Sequence, residues 1–313
     1  MSTTRRAILT TATALGVTAL TGSATAQADP APGRSAAPAS APGPGRFTAL
    51  ERRHGARLGV YAHDLGTGRT VRHRADERFP MCSTFKTPAV AAVLRDLDRD
   101  GEYLARRVHY TQADIDRAGG APVTGKPENL ANGMTVAELC GAAISYSDNT
   151  AANLLMEPLG GPGAVTRFVR SIGDRTTRLD RWEPELNSAE AGRVTDTSTP
   201  RALGRTYARL VLGDALAPAD RDRLTKWLLA NTTSGERFRA ALPADWELGD
   251  KTGTGRYGTA NDVGIAWTPD GAPVILSVLS TKADHGADQE TEGDSVLVRR
   301  AAELIVESLA RRG

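Results

Sequence analysis

The run Ser83-Thr-Phe-Lys-Thr-Pro-Ala-Val-Ala-Ala-Val-Leu-Arg-Asp-Leu97 decides the fold. From Thr87 to Leu97 it is apolar on nearly every side and too long for a strand, the pattern of a central, fully buried helix. Pro88 sits awkwardly in it, because a proline inside a helix forfeits a backbone hydrogen bond. The first turn after Ser83 is therefore expected to be irregular, or the missing bond to fall close to the helix start. Working outward, Arg46–His54 reads as a short helix. Leu58–Asp64 and Thr70–His73 read as strands joined by the turn Gly66-Thr-Gly68. Downstream, helices are expected over 135–145, 149–158, 161–172, 200–212 and 217–231. Strand signals return only at 247–252, 259–267 and 274–280, interrupted by Pro269-Asp-Gly271. Ser295–Leu309 closes as an amphipathic helix with Val298, Ala301, Leu304, Ile305 and Leu309 on one face.

Strands at both ends with helices between them predict an α+β fold. An antiparallel sheet is built from both chain ends and flanked by the terminal helices, and an all-helical lobe is inserted. The α/β lobe would take about 46–80 and 232–313, the helical lobe about 81–231, and a site is expected in the cleft between them.

The first 28 residues are read as an export signal outside the fold. Arg5-Arg6 precedes a weakly apolar run to Leu20, and Ala26-Gln27-Ala28 offers a small-residue cleavage site. Paired arginines before such a run fit twin-arginine export of a secreted protein. The run is too short and too rich in Thr and Gly to insert stably in a membrane. Residues 29–45, nearly all Ala, Pro, Gly and Ser, read as a flexible leader. Net charge is +2 from 39 basic and 37 acidic residues, which argues against a nucleic-acid surface. Five scattered histidines give no metal-ligand spacing, and no phosphate- or dinucleotide-binding glycine pattern stands out, so neither metal nor cofactor is expected. Cys82 and Cys140 read as small buried thiols rather than as a bridge, and the chain is taken as a monomer.

Three short motifs carry chemistry. Ser83 and Lys86, three apart, share a helix face; serine needs a nearby group to take its proton, and a lysine whose pKa is lowered can be that group. A helix start also exposes backbone N–H groups toward a developing oxyanion. Alone the pair means little, since about one such match arises by chance in a chain of this length. Ser147-Asp-Asn149 lies between two helices. It reads either as a turn with a helix cap, or as a serine that returns a proton to a leaving nitrogen beside an asparagine that binds a substrate amide. Lys251-Thr-Gly253 ends a predicted strand. Lys251 and Thr252 could hold a substrate carboxylate, Gly253 marks a close backbone approach, and the Thr254 N–H is a candidate second oxyanion donor. The alternative is an ordinary strand end.

Together, in this order and spacing, the motifs resemble the penicillin-recognising serine acyltransferases, whose class A β-lactamases share the set. Arg181-Trp-Glu-Pro-Glu-Leu-Asn187 is similar to the class A omega loop almost letter for letter. The resemblance spans the mature chain and implies hydrolysis of penicillins and cephalosporins through a Ser83 acyl-enzyme, with Glu183 and Asn187 activating the deacylating water. It leaves open whether Lys86 or Glu183 takes the serine proton. Arg178 and Asp180 are expected to pin the loop. Many members carry a carboxylate-binding arginine where this chain has Ala260; Arg237 is the substitute candidate, against an exposed helix-end arginine such as Arg239. The aromatic residue usual at the site mouth is not evident between Thr111 and Ala121, and Gly255 excludes the disulfide of one carbapenem-hydrolysing subgroup. The rival readings are a D-alanyl-D-alanine carboxypeptidase or transpeptidase, which leaves Glu183 and Asn187 unexplained, a covalent antibiotic-sensor domain, which would prefer a membrane anchor, and a Ser-x-x-Lys esterase, which would not need the omega-type loop.

Overall fold

The computed structural model describes residues 45–310. The expected export signal and leader lie outside the described residues, except for Gly45, which opens the first helix. The chain begins with α1 (Gly45–His54), β1 (Arg57–Asp64), β2 (Thr70–His73) and a two-residue strand β3 (Phe79–Pro80). A 3-10 turn, Cys82–Phe85, leads into α2 (Lys86–Ala92), which widens into a π turn over Val93–Leu97. The single long helix expected to Leu97 is thus three pieces; the predicted burial holds for every residue of α2 and on to Leu94, whereas Arg95–Leu97 are half-buried. Pro88 explains part of the irregularity. It cannot donate to the Thr84 carbonyl, and the Tyr207 hydroxyl donates to that oxygen instead at 2.8 Å.

The short strand β4 (Arg107–Val108) follows, then α3 (Gln112–Ala118), α4 (Pro127–Asn132), β5 (Met134–Thr135), α5 (Val136–Ser145), α6 (Asn149–Met156) and α7 (Pro162–Ser171). After β6 (Thr197–Ser198) come α8 (Pro200–Val211), α9 (Pro218–Leu229) and the single turn α10 (Phe238–Ala241). Three of these helices were not anticipated: α3, α4 and α10. The starts that were anticipated are set by caps: Thr135, Asp148 and Thr199 accept from the backbone N–H groups of Glu138, Ala151 and Ala202.

The chain closes with β7 (Glu247–Gly255), β8 (Thr259–Trp267), β9 (Pro273–Thr281) and α11 (Ser295–Ala310). The antiparallel sheet runs β2-β1-β9-β8-β7, with β1 paired to β9 from Arg57↔Thr281 to Asp64↔Val274. Strand alternation assigns its two faces. Leu58, Val60, Ala62, Val274, Leu276 and Val278 pack with Phe47 of α1 and Val298, Ala301 and Ile305 of α11. Tyr61, Val263, Ile265 and Leu279 point the other way, into the cluster that contains Phe85, Val90, Leu139 and Tyr207 of the helical body. Among the described residues no helix is long and apolar enough to cross a membrane.

Candidate active site

The nucleophile candidate lies where helical body and sheet meet. Ser83 sits on the 3-10 turn and is 7 % exposed. The turn is fastened to the sheet by Asn261 of β8, whose Nδ2 donates to the carbonyls of Pro80 (2.9 Å) and Met81 (3.1 Å). Gly253 lets β7 come close: a Cβ there would fall 2.8 Å from the Met81 carbonyl oxygen and 3.2 Å from Thr84 Cγ2. The close approach expected of this glycine is found, but the Lys251-Thr-Gly253 motif lies inside its strand, which continues to Gly255.

Lys86 is wholly buried. Its Nζ donates to Asn149 Oδ1 (2.6 Å) and the Ser147 carbonyl (2.8 Å) and lies 3.1 Å from Glu183 Oε1. Burial pushes its pKa down, against the opposing charge of Glu183. A neutral amine would offer two N–H groups to Asn149 and Ser147 and turn a lone pair toward a carboxylate, so this arrangement suits the ammonium form. Ser147 stands at a positive φ of 59° between α5 and α6, an uncommon conformation for a residue with a Cβ. Its hydroxyl accepts from Lys251 Nζ at 2.9 Å and faces Lys86 Nζ at 3.4 Å. Its own proton remains free for a third partner. Lys251 is also wholly buried, and burial followed by the charge of Lys86 holds its pKa well below the usual lysine range.

Asp148 of the same motif has a structural task. Fully buried, it caps α6 and receives the Val123 and Thr124 N–H groups, at 3.0 and 2.9 Å, and the Thr124 hydroxyl. Asn149 completes the link by donating to the Ala118 carbonyl at 3.2 Å. Thr252 shares a 2.5 Å hydroxyl–hydroxyl hydrogen bond with Thr233.

Glu183 is brought to the site by the 178–187 loop and is 1 % exposed. Its Oε1 accepts from the Ser83 hydroxyl at 3.4 Å, and its Oε2 from Asn187 Nδ2 at 2.5 Å. Two holding residues went unread in the sequence. Asn153 donates to the Glu183 carbonyl (3.0 Å) and accepts from the Glu183 N–H (3.1 Å). It lies four residues after Asn149 in α6, hence on the same face, and that spacing was the available signal. Asp196 accepts from the backbone N–H groups of Asp180 (2.7 Å) and Arg181 (3.0 Å) and pairs with Arg181 Nε at 2.6 Å. The expectation that Arg178 and Asp180 pin the loop is therefore half right. Arg178 pairs with its neighbour Asp180, whose carboxylate also receives the Asp196 N–H; the clamp itself runs through Arg181 and Asp196.

Arg237 is 6 % exposed, not a solvent-facing helix end. Its guanidinium donates to the carbonyls of Gly253 (2.9 Å) and Asn261 (2.8 Å), to Thr254 Oγ1 (2.7 Å) and to Ser295 Oγ (3.1 Å). Burial lowers its pKa and Asp262 counters. Thr254 is exposed and pairs across the strands with buried Ala260, so the guanidinium that reaches this strand edge is that of Arg237. Asp250 and Asp262, on the paired strands β7 and β8, are both fully buried. Burial raises both pKa values, and for Asp262 the charge of Asp250 adds to it. Cys82 and Cys140 are free, buried thiols. Among the described residues no group of His, Cys, Asp and Glu could hold a metal ion.

The family model of the beta-lactamase enzyme family matches residues 45–309. The chain belongs to the β-lactamase family. A β-lactamase of Streptomyces fradiae is 63% identical over 305 residues, covering 97% of this chain and 96% of the relative. The solved β-lactamase of Streptomyces albus G superposes with a TM-score of 0.82 at 67% identity, covering 84% of this chain and 97% of that one. An ancestral class A β-lactamase gives a TM-score of 0.77 at 50% identity, over 84% of this chain and 98% of its own. This β-lactamase fold is the α+β architecture expected from the sequence.

Proposed function

We propose that this β-lactamase opens penicillins and cephalosporins at Ser83. Ser83 Oγ bonds to the lactam carbonyl carbon as Glu183 takes the hydroxyl proton. The backbone N–H groups of Ser83 and Thr254 receive the oxyanion, and Ser147 protonates the nitrogen as the C–N bond breaks; Lys86, 3.4 Å from the Ser147 hydroxyl and 3.1 Å from Glu183, replaces that proton and recovers its own from Glu183, which returns to the carboxylate. Water held by Glu183 and Asn187 then attacks the ester; its proton passes to Glu183, the carbon–Oγ bond breaks, and Ser83 regains its hydrogen. Asn149 orients the substrate amide. Lys251, Thr252 and the Gly253 strand edge take the substrate carboxylate, with Arg237 acting through Thr254. The observation that carries this reading is one carboxylate, Glu183, touching both Ser83 (3.4 Å) and Asn187 (2.5 Å).

The assignment of Glu183 as acylation base rests on the ammonium form of Lys86. In Glu183→Ala, Lys86 loses the charge that holds its proton and becomes the substitute base, whereas deacylation has none. The variant should acylate and accumulate adduct; intact-mass spectra showing ordinary turnover of benzylpenicillin would overturn the role of Glu183 in deacylation. In the wild type, repeated turnover of benzylpenicillin and a chromogenic cephalosporin without lasting adduct supports hydrolysis, and a single burst with stable adduct supports the peptidase or sensor reading. We further propose that the enzyme is a secreted monomer, exported by the twin-arginine route through the segment 1–28.

A further inference from the structure

A cavity of about 470 Å³ opens on the reverse side of the 178–187 loop, between that loop and helices α3 and α6. Its volume falls within the roughly 300–1,000 Å³ usual for small-molecule sites. Trp182 forms an aromatic wall and is 39% exposed, with Leu154 beside it. The charged groups around it separate cleanly. Asp114 pairs with Arg117, Asp180 with Arg178, Arg181 with Asp196 and Glu183 with Lys86. Glu157 and Glu185 have no such partner among the described residues, and both are exposed at the cavity. Thr150, also in the wall, is 1% exposed and its hydroxyl has no hydrogen-bond partner. The carboxylates do not converge as metal ligands would.

We propose that this cavity is a second binding site, for a small organic cation with a flat or apolar body, such as an amidinium, guanidinium or aryl ammonium. The indole face attracts the cation and its apolar body, Glu157 and Glu185 supply the two uncompensated charges, and the Thr150 hydroxyl offers a buried polar contact. Asn153 stands in the same wall and holds the Glu183 backbone. On the mechanism proposed above, occupation therefore alters acyl-enzyme breakdown more than acylation.

Binding is tested first on the free protein, so that its outcome does not depend on the reaction. Benzamidinium should quench tryptophan emission saturably, and neutral benzamide, of the same shape, should not. Trp182→Phe should abolish the quench, and the double variant Glu157→Gln/Glu185→Gln should weaken binding at least tenfold, measured by calorimetry. Both glutamates are exposed, and circular dichroism confirms that the variant is folded. Equal responses to benzamidinium and benzamide, a quench that survives Trp182→Phe, or unchanged affinity in the double variant would each overturn the proposal. Saturating benzamidinium should then change the decay rate of the benzylpenicillin adduct at least threefold in the wild type and not in the double variant. Binding without that change would refute the link to Glu183 and leave the site itself standing.

Discussion

Asn153→Ala tests how Glu183 is held. The substitution removes two hydrogen bonds, of 3.0 and 3.1 Å, from the backbone of a residue that is 1 % exposed. Each buried backbone group left without a partner costs about 1–3 kcal/mol. Water from the adjoining cavity can recover part of this, so the expected loss is about 2–4 kcal/mol. If half of that reaches the deacylation transition state, the step slows by roughly fivefold to thirtyfold, at about 1.4 kcal/mol per factor of ten. Acylation should fall less, because Lys86 can substitute as base once Glu183 moves away. Urea unfolding gives the stability change from a shifted midpoint at constant slope; time-resolved intact-mass spectra with benzylpenicillin separate adduct formation from its decay. A loss below about 0.5 kcal/mol, or equal slowing of both steps, would refute the reasoning. Asn153→Asp keeps the acceptor for the Glu183 N–H but not the donor, and should fall between the two.

Arg237→Ala leaves two buried carbonyls and the Thr254 hydroxyl without their donor, and should lower kcat/KM for benzylpenicillin about tenfold or more, chiefly through KM; wild-type efficiency in a folded variant would remove Arg237 from the site. The Asp250–Asp262 pair makes stability depend on pH. With both folded pKa values raised, the folded chain keeps a proton that the unfolded chain releases, so stability is full below about 3.9, the ordinary carboxylate value, and declines as pH climbs from there to the folded value. Asp262→Asn should flatten that decline in urea unfolding between acid and neutral pH, and an unchanged slope would exclude the pair as its source. Cys82 and Cys140, buried with their thiols pushed up by desolvation, should resist a chromogenic disulfide reagent until the protein unfolds; prompt native labelling would contradict their burial.

The parts of the site that could be read in the sequence are those whose chemistry needs a particular residue at a particular spacing. Ser83, Lys86, Ser147, Asn149, Glu183 and Lys251 come together as hydrogen-bonded neighbours. What escaped reading depends on contacts between distant segments. Asp196 reaches back 15 and 16 residues to close the loop, and Asn261 lies 180 and 181 residues from the carbonyls it fastens. Arg237 followed an exposed-looking pattern, Ser-Gly-Glu-Arg, and only the β7–β8 carbonyls beside it show that it is buried. The fold shows the same division. Long strands and helices followed from their periodicity. Helix α3 is hard to read despite its capping box Thr111-x-x-Asp114, because its seven polar-rich residues are too short to show a period.

The pairing of β1 with β9 also has a consequence in time. Arg57 and its partner Thr281 are separated by about 220 residues of chain, so the sheet cannot close until roughly 10–45 s after Arg57 is made, at a translation rate of about 5–20 residues per second. Throughout that interval the apolar face of the first hairpin has neither its neighbouring strand nor α11 to cover it. The first hairpin is thus the part of the sheet that waits longest for its cover, and the cleft against β7 and β8 cannot be finished before it is covered.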